Sequence, residues 1–169
     1  MSEKKVLILN QKQIQQKIER IAYQILEDNL EEKELVVAGI LTRGFTIAKR
    51  LKSVLEKISS IKVTLMSIEL DKDSHHLQAS ADVPLNEVEN QVVILVDDVL
   101  NSGRTLVYGL GYFLNIPLKK IRTVVLVDRS HRRFPVAPDY TGWQLATVLK
   151  EHVLVVLDSP GEEDAVYLT

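Results

Sequence analysis

Val92-Val93-Ile94-Leu95-Val96-Asp97-Asp98-Val99-Leu100-Asn101-Ser102-Gly103-Arg104-Thr105-Leu106 is the stretch whose reading decides the fold. Five apolar residues run into two adjacent carboxylates, and an unbroken apolar run of this length reads as a strand buried on both faces. A short polar turn with one glycine follows, then a hydroxyl residue that opens a helix-like run. Such a strand delivers Asp97 and Asp98 to a sheet edge. The turn directs backbone N–H groups at whatever sits there, and a helix N-terminus behind it favours an anion. The stretch therefore reads as a sugar-phosphate site, with the acids on sugar hydroxyls and the turn on a phosphate.

Moving outward, the same alternation recurs. Val6-Leu7-Ile8-Leu9 is a short strand or extended arm, and Asn10 is a helix N-cap. From Gln11 the apolar positions Ile14, Ile18, Ile21 and Ile25 recur at helical spacing, predicting a one-faced helix to about Asn29. Leu35 to Leu41 is a second continuous apolar run, broken by Thr42-Arg43-Gly44. A second amphipathic helix then carries Ile47, Leu51, Leu55 and Ile58. Ile61 to Leu70 and Ile121 to Val127 read as further strands, the latter ending at Asp128-Arg129. Helix three is expected from Thr105 to about Asn115, with Leu106, Leu110 and Phe113 inward. Val153 to Leu157, ending in Asp158, and Val166 to Leu168 complete the set. Asp71 to Asn90 reads as a structureless polar loop holding His75 and His76; a loop of roughly twenty residues is uncommon in a compact domain and often functional.

Strands that alternate with amphipathic helices imply an α/β domain with a mainly parallel sheet. Ligands bind such sheets beyond the carboxyl ends of the strands. Four strand ends carry polar chemistry: Thr42-Arg43-Gly44, Asp97-Asp98, Asp128-Arg129 and Asp158. Together they suggest one site.

Composition bounds the answer. The 169 residues, 46% hydrophobic and 26% charged, suffice for one domain, residues 1–169, and no linker or repeat divides them. The absence of cysteine excludes disulfides and thiolate metal sites. No apolar run reaches membrane-span length, and Met1 to Lys5 does not begin a signal peptide, so a cytoplasmic protein without membrane contact is expected. A net charge of −2 argues against a general nucleic-acid coat.

Each constellation has a plain alternative. Two neighbouring carboxylates repel unless donors meet them; vicinal ribose hydroxyls and a nearby Mg²⁺ would offset the charge. Ser102, Gly103, Arg104 and Thr105 would wrap a monophosphate. The alternative is an acidic strand end with an N-capping hydroxyl. Thr42-Arg43-Gly44 is either a turn with a solvated arginine or a diphosphate loop. Trp143 is either an edge-packing residue or a stacking platform. Arg129, His131, Arg132 and Arg133 form the clearest basic cluster.

Val-Asp-Asp-Val-Leu-Asn-Ser-Gly-Arg-Thr resembles the phosphoribosyl-diphosphate (PRPP) motif of type I phosphoribosyltransferases. Gly39 to Gly44 with Ile47 to Leu51, Leu126 to Arg132, Pro135, Asp139 to Gly142, and Val156 to Asp158 extend the resemblance. They point to the branch of bifunctional pyrimidine-operon attenuators and uracil phosphoribosyltransferases. The resemblance implies a mainly parallel twisted sheet flanked by helices, with a small hood over the base site. It implies a pentosyltransferase that moves the phosphoribosyl group of PRPP to a nucleobase, uracil or a purine, with release of diphosphate.

The roles follow residue by residue. Asp97, Asp98 and Arg43 are the expected catalytic residues. Asn101, Ser102, Gly103, Arg104 and Thr105 would take the 5′-phosphate, and Thr42, Arg43, Gly44 and Arg129 the diphosphate. A strained, often cis, peptide is expected near Leu41–Thr42. Tyr140 and Trp143 would hold the base. The pyrimidine branch has lysine where Trp143 stands, and many purine enzymes have aspartate where Asn101 stands. Asp158 is either a ligand of a second Mg²⁺ through the diphosphate or a plain strand-end acid. A homodimer or larger assembly is expected, with the isoleucine-striped first helix as core or interface.

The alternative function is a nucleotide-sensing, RNA-binding attenuator. The net charge, and Tyr23 where the branch tends to have histidine, set RNA below a small-molecule role. The flexible loop that relatives close over PRPP departs most. Asp73-Ser74-His75-His76 stands where the branch has Tyr-Arg-Asp-Asp, so the arginine is missing. His75, His76 or Lys72 would have to supply its positive charge.

Overall fold

The first helix shows how directly local sequence builds the fold. The computed structural model describes residues 4–71, 73–76, 78–147 and 151–169. In it Asn10 caps helix α1 (Gln11–Glu27) with a reciprocal capping box: its side chain accepts from Gln13 N–H, while the Gln13 side chain accepts from Asn10 N–H. Ile14, Ile18, Ile21 and Ile25 are buried on one face. Each contributes about 1.5–3 kcal/mol relative to exposure. That stripe is core within this chain, so the interface alternative for it falls away.

Strands β2 (Glu34–Ile40), β3 (Lys62–Leu70), β5 (Val92–Leu100), β6 (Lys120–Asp128) and β7 (Tyr140–Gln144) form a parallel sheet, with β4 (Ala79–Ala81) antiparallel on one edge. The order is β4-β3-β2-β5-β6-β7. Helix α2 (Arg43–Ile58) packs on the same face as α1, and α3 (Arg104–Phe113) on the other. Strand β5 feeds both cores: Val92, Ile94 and Val96 face one, Val93 and Leu95 the other. This is why its sequence is continuously apolar rather than alternating. From β2 the chain crosses to β3 on one side, and from β5 it crosses to β6 on the other. The order therefore reverses between β2 and β5, which makes a crevice at their carboxyl ends.

The two ends of the chain meet in a second, antiparallel sheet, β1-β9-β8, built from β1 (Val6–Leu9), β8 (Val153–Val156) and β9 (Ala165–Leu168). Among the described residues no helix is long and apolar enough to cross a membrane.

One expectation needs correction. Asp71 to Asn90 is not structureless: β4 pairs with β3, and a 3₁₀ turn, Leu85–Val88, buries Val88 in the α3-side core. Strand β4 is three residues of Ala-Ser-Ala, with no β-branched signal. What pins it is Asp82, whose carboxylate accepts from Ser67 N–H. Strand β7 was not legible as a strand either. It is short and holds Gly142, where a Cβ would lie 2.4 Å from the Leu126 carbonyl oxygen.

Candidate functional site

The site lies where the strand order reverses. Parallel pairing sets Gly39 beside Val96, so the chain after β2 emerges beside Asp97. Gly44 presses α2 onto that strand end; a Cβ there would meet the Val96 carbonyl oxygen at 2.6 Å and Asp97 Cα at 3.0 Å. The Leu41–Thr42 peptide is cis, as expected. Arg43 Nε donates to Asp98 Oδ2 at 2.6 Å, with the Arg43 side chain 52% exposed and that of Asp98 only 15%. Asp97 is buried; its Oδ1 accepts from Asp98 N–H, and Asp98 Oδ1 from Val99 N–H. Each carboxylate thus has a donor of its own.

The turn after β5 closes on Gly103, whose φ of +89° is left-handed. Ser102 Oγ accepts from Arg104 N–H, and the Ser102 carbonyl accepts from the N–H groups of Arg133 and Phe134. Asp97, Asn101, Ser102, Gly103 and Thr105 line one small cavity of about 40 Å³. Helix capping separates this region from the rest of the fold. Helix α1 is capped by a full capping box, whereas Thr42 before α2 makes no side-chain cap bond and before α3 the Ser102 hydroxyl meets only the first N–H, that of Arg104. Both helices that begin at the crevice turn N–H groups and the positive ends of their dipoles toward it.

Three of the four expected strand ends meet here; Asp158 does not. It follows β8 in the smaller sheet, where its carboxylate accepts from Arg50 Nη2 at 2.6 Å. Arg50 also binds Asp164 at 2.5 Å. Asp158 lines a different pocket, with Gln11, Gln15 and Glu162, so it is a strand-end acid paired across the fold.

Arg129 also departs from expectation. It is buried, and its guanidinium donates to Thr147 Oγ1 at 2.8 Å, Asn101 Oδ1 at 3.3 Å and the Glu151 carbonyl. A side chain so engaged ties the phosphate turn to the segment before β8 rather than offering itself to a diphosphate. The rest of the basic cluster is largely spent as well: Arg132 pairs with buried Asp128, and His131 Nε2 meets the Thr147 carbonyl. Arg133 is exposed.

The Tyr140 side chain is spent in the core rather than offered to a base. It is 4% exposed in the core, and its hydroxyl donates to Asp28 at the end of α1. Burial, then that bond and the Asp28 charge, push the hydroxyl far above its ordinary range. The cause is strand alternation: Tyr140 and Trp143 have opposite parity on β7. Trp143 is 42% exposed, with Lys17 Nζ 4.9 Å from its ring centroid.

The contacts that sequence reasoning missed include Arg129 with Thr147 and Arg104 with the Ser74 carbonyl. Both join residues on separate elements, and no local pattern signals them. Lys72, expected as a possible source of positive charge, lies outside the described residues.

For Mg²⁺ the chain supplies two adjacent carboxylates, one of them already paired with Arg43. Among the described residues no group of three or more His, Asp or Glu side chains forms a metal site. This donor set fits a magnesium ion that keeps most of its oxygen ligands from substrate and water, its usual mode on phosphates.

An acidic pair between two helix N-termini, at the switch point of a parallel sheet, makes this an α/β protein whose crevice is suited to a phosphorylated sugar. The comparisons with known proteins narrow the class. Residues 7–158 match the Phosphoribosyl transferase domain. The chain is 36% identical to the Bifunctional protein PyrR of Macrococcus caseolyticus over 171 residues, covering 97% of this chain and 98% of that one. Identity to the Bifunctional protein PyrR of Bacillus subtilis is also 36%, over 96% and 95% of the two chains. Hypoxanthine phosphoribosyl transferase of Trypanosoma cruzi shares the fold at a TM-score of 0.79 and 21% identity, covering 97% and 91%. A hypoxanthine-guanine phosphoribosyltransferase from Bacillus anthracis superposes at 0.68 and 26% identity, covering 83% and 82%. The chain belongs to the type I phosphoribosyltransferase family, in the branch of the PyrR proteins. It is a pentosyltransferase that moves the phosphoribosyl group of PRPP to a nucleobase with release of diphosphate.

Proposed function

We propose that the crevice between β2 and β5 carries this transfer, in the cytoplasm, with uracil or a purine as acceptor and Mg²⁺ supplied with PRPP. The observation that carries the assignment is the Asp97–Asp98 pair set between the N-termini of α2, where Thr42 adds no side-chain cap, and of α3, where Ser102 meets only the first N–H. In this reading Asp97 and Asp98 accept hydrogen bonds from the ribose hydroxyls. The N–H groups of Ser102 to Thr105, with the Ser102 and Thr105 hydroxyls, take the 5′-phosphate, and Asn101 lines the same turn. Thr42, Arg43 and Gly44 take the diphosphate.

Displacement at the ribose anomeric carbon passes through an oxocarbenium-like state, so positive charge grows on the ring while negative charge leaves with the diphosphate. The chain's part is positioning and charge complementarity. Arg43 and the α2 N-terminus meet the departing anion, and the acids face the ring that turns cationic. Mg²⁺, when bound, offsets the diphosphate charge. Trp143, exposed on β7, is the stacking residue for the base in this reading.

The test is calorimetry with PRPP–Mg²⁺, followed by turnover with uracil, hypoxanthine, guanine, xanthine and adenine. Binding with turnover of at least one base is expected, and Asp98→Asn abolishes the binding. Binding with no turnover of any base would overturn the enzymatic assignment, and unchanged affinity in Asp98→Asn would overturn the location. The word "bifunctional" in the relatives' name favours a second reading, a nucleotide-responsive RNA-binding role. It is checked by salt-dependent RNA binding that changes with nucleotide.

A further inference from the structure

Arg104 occupies the first position of α3, directly behind the turn that the proposed function gives to a phosphate. Its backbone N–H belongs to that turn, but its side chain does not reach into it. The guanidinium carbon lies 5.0 Å from the centre of the Tyr108 ring, one helical turn along. Nη2 bonds the Tyr108 hydroxyl at 3.3 Å and donates to the Ser74 carbonyl at 2.9 Å. Ser74 belongs to the connection between β3 and β4, 30 residues earlier in the chain.

Among the described residues of that connection the other hydrogen bonds stay within it. Asp71 Oδ1 accepts from the N–H groups of Asp73 and Ser74, Ser74 Oγ accepts from His76 N–H, and Asp71 N–H donates to the Gln78 carbonyl. All of these are local. Among the described residues 73–76, the Arg104 bond is the one hydrogen bond that reaches another element. His75 and His76 are exposed.

A guanidinium is suited to this task. It stacks flat on an aromatic ring and still has donors at its rim. Tyr108 fixes the Arg104 rotamer before Ser74 is engaged, so little side-chain entropy remains to be lost when the loop bond forms. The loop is thereby tied to the residue whose own N–H helps form the phosphate turn, and ordering of that turn and of the loop becomes one event.

We propose that Arg104, held by Tyr108, is a positioning residue that latches the β3–β4 connection beside the phosphate turn. Its side chain acts on the loop rather than on the phosphate. The proposal rests on the functional reading for its consequence in catalysis, but the latch is measurable without any substrate.

The experiment is hydrogen exchange of residues 73–76 in the full chain, paired with steady-state kinetics, for Arg104→Ala, Arg104→Lys and Tyr108→Leu. One charge-assisted bond corresponds to about a tenfold change in loop opening, so Arg104→Ala is expected to exchange roughly tenfold faster at these amides without substrate. Tyr108→Leu, which keeps the arginine but removes its platform, is expected to shift exchange in the same direction by less. Arg104→Lys keeps the charge and loses the stack, and should restore only part of the protection. In turnover, kcat of Arg104→Ala should fall while KM for PRPP changes less than threefold. Unchanged exchange in both Arg104→Ala and Tyr108→Leu would overturn the latch whatever the enzyme's activity. A rise in KM for PRPP at constant kcat would also overturn it, by showing that the side chain serves the phosphate directly. Loss of turnover in the unmodified chain, with the exchange shifts intact, would count against the functional reading alone.

Discussion

Replacing Gly103 with alanine separates two costs that the structure assigns to one position. The backbone there has φ +89°, and a left-handed residue bearing a Cβ costs about 1–2 kcal/mol. The new methyl would also lie 2.6 Å from Val136 Cγ1. Val136 cannot simply retreat. Its N–H donates to the Phe134 carbonyl, and the N–H groups of Phe134 and Arg133 both donate to the Ser102 carbonyl, so clash and turn share one scaffold. Val136 is also β-branched and stiff at χ1. Overpacking of this kind costs about 1–3 kcal/mol. Gly161 supplies the control, since its φ is +77° but a Cβ there would meet nothing within 4 Å. Gly161→Ala should therefore lose only the conformational part, about 1–2 kcal/mol. Gly103→Ala should lose about 2–5 kcal/mol, the sum of the two terms. Any gain from a less flexible unfolded chain is common to both variants and cancels in the difference. Urea denaturation monitored by circular dichroism measures both, and calorimetry with PRPP–Mg²⁺ reads the turn, where only Gly103→Ala should lose affinity. Equal destabilisation of the two variants would refute the steric argument, and PRPP affinity unchanged in Gly103→Ala would refute the assignment of the turn.

Three further outcomes follow from the ion pairs. Arg43→Ala should weaken binding of PRPP, which carries a diphosphate, much more than binding of a nucleoside monophosphate, which does not; calorimetry with both ligands would show equal losses if Arg43 serves only to hold Asp98. Asp158→Asn should leave PRPP and diphosphate affinity unchanged, because its carboxylate is paired with Arg50 away from the crevice; a large loss would return Asp158 to the site. Burial pushes the Asp164 carboxyl up, but the Arg50 hydrogen bond, the Asp158 N–H and the Arg50 charge outweigh it, and the carboxyl titrates below its ordinary value. The folded chain then binds fewer protons than the unfolded one, so this contribution to stability is full above about pH 4 and is lost as pH falls through the lower folded value. Urea midpoints measured from pH 6 downward should decline less steeply for Asp164→Asn than for the unmodified chain.

The parts of the fold legible in the sequence are those where one residue's surroundings come from its near neighbours. The stripe of Ile14, Ile18, Ile21 and Ile25, the Asn10 cap and the unbroken run of Val92 to Val96 all carry their meaning within a few residues. So does the sequence from Asp97 to Thr105, because the strand, the turn and the helix start are consecutive. What was not legible depends on partners brought in from afar. Arg129 reads as a free cation until Thr147 and Asn101 are placed around it. Tyr140 reads as a base-site aromatic until strand alternation turns it toward Asp28. Asp158 reads as a fourth strand-end acid because a sequence cannot say which of two sheets a short apolar strand joins. Strand β4 has no intrinsic signal, and its existence rests on pairing with β3 and on Asp82.

The polar chemistry of the fold is uneven, and that unevenness points to the crevice. Away from it, the chain meets its own needs: Asn10 caps α1, Arg50 answers both Asp158 and Asp164, and Arg20 covers the carbonyls of Thr141 and Gly142 on the outer edge of β7. At the crevice it does so less fully. Thr42 adds no side-chain cap to α2, Ser102 meets only the first N–H of α3, and two acids stand side by side. The Arg43–Asp98 pair reconciles this with stability. A carboxylate only 15% exposed and next to a second carboxylate is costly unless a cation meets it, and Arg43 does so from a loop that leaves half of its own side chain in water. Under the proposed function, donor binding is an exchange: Arg43 would trade Asp98 for diphosphate oxygens, while Asp98 would trade Arg43 for ribose hydroxyls, neutral donors that satisfy its oxygens without matching its charge. The cation that stabilises the chain at rest would then be the one that meets the leaving diphosphate.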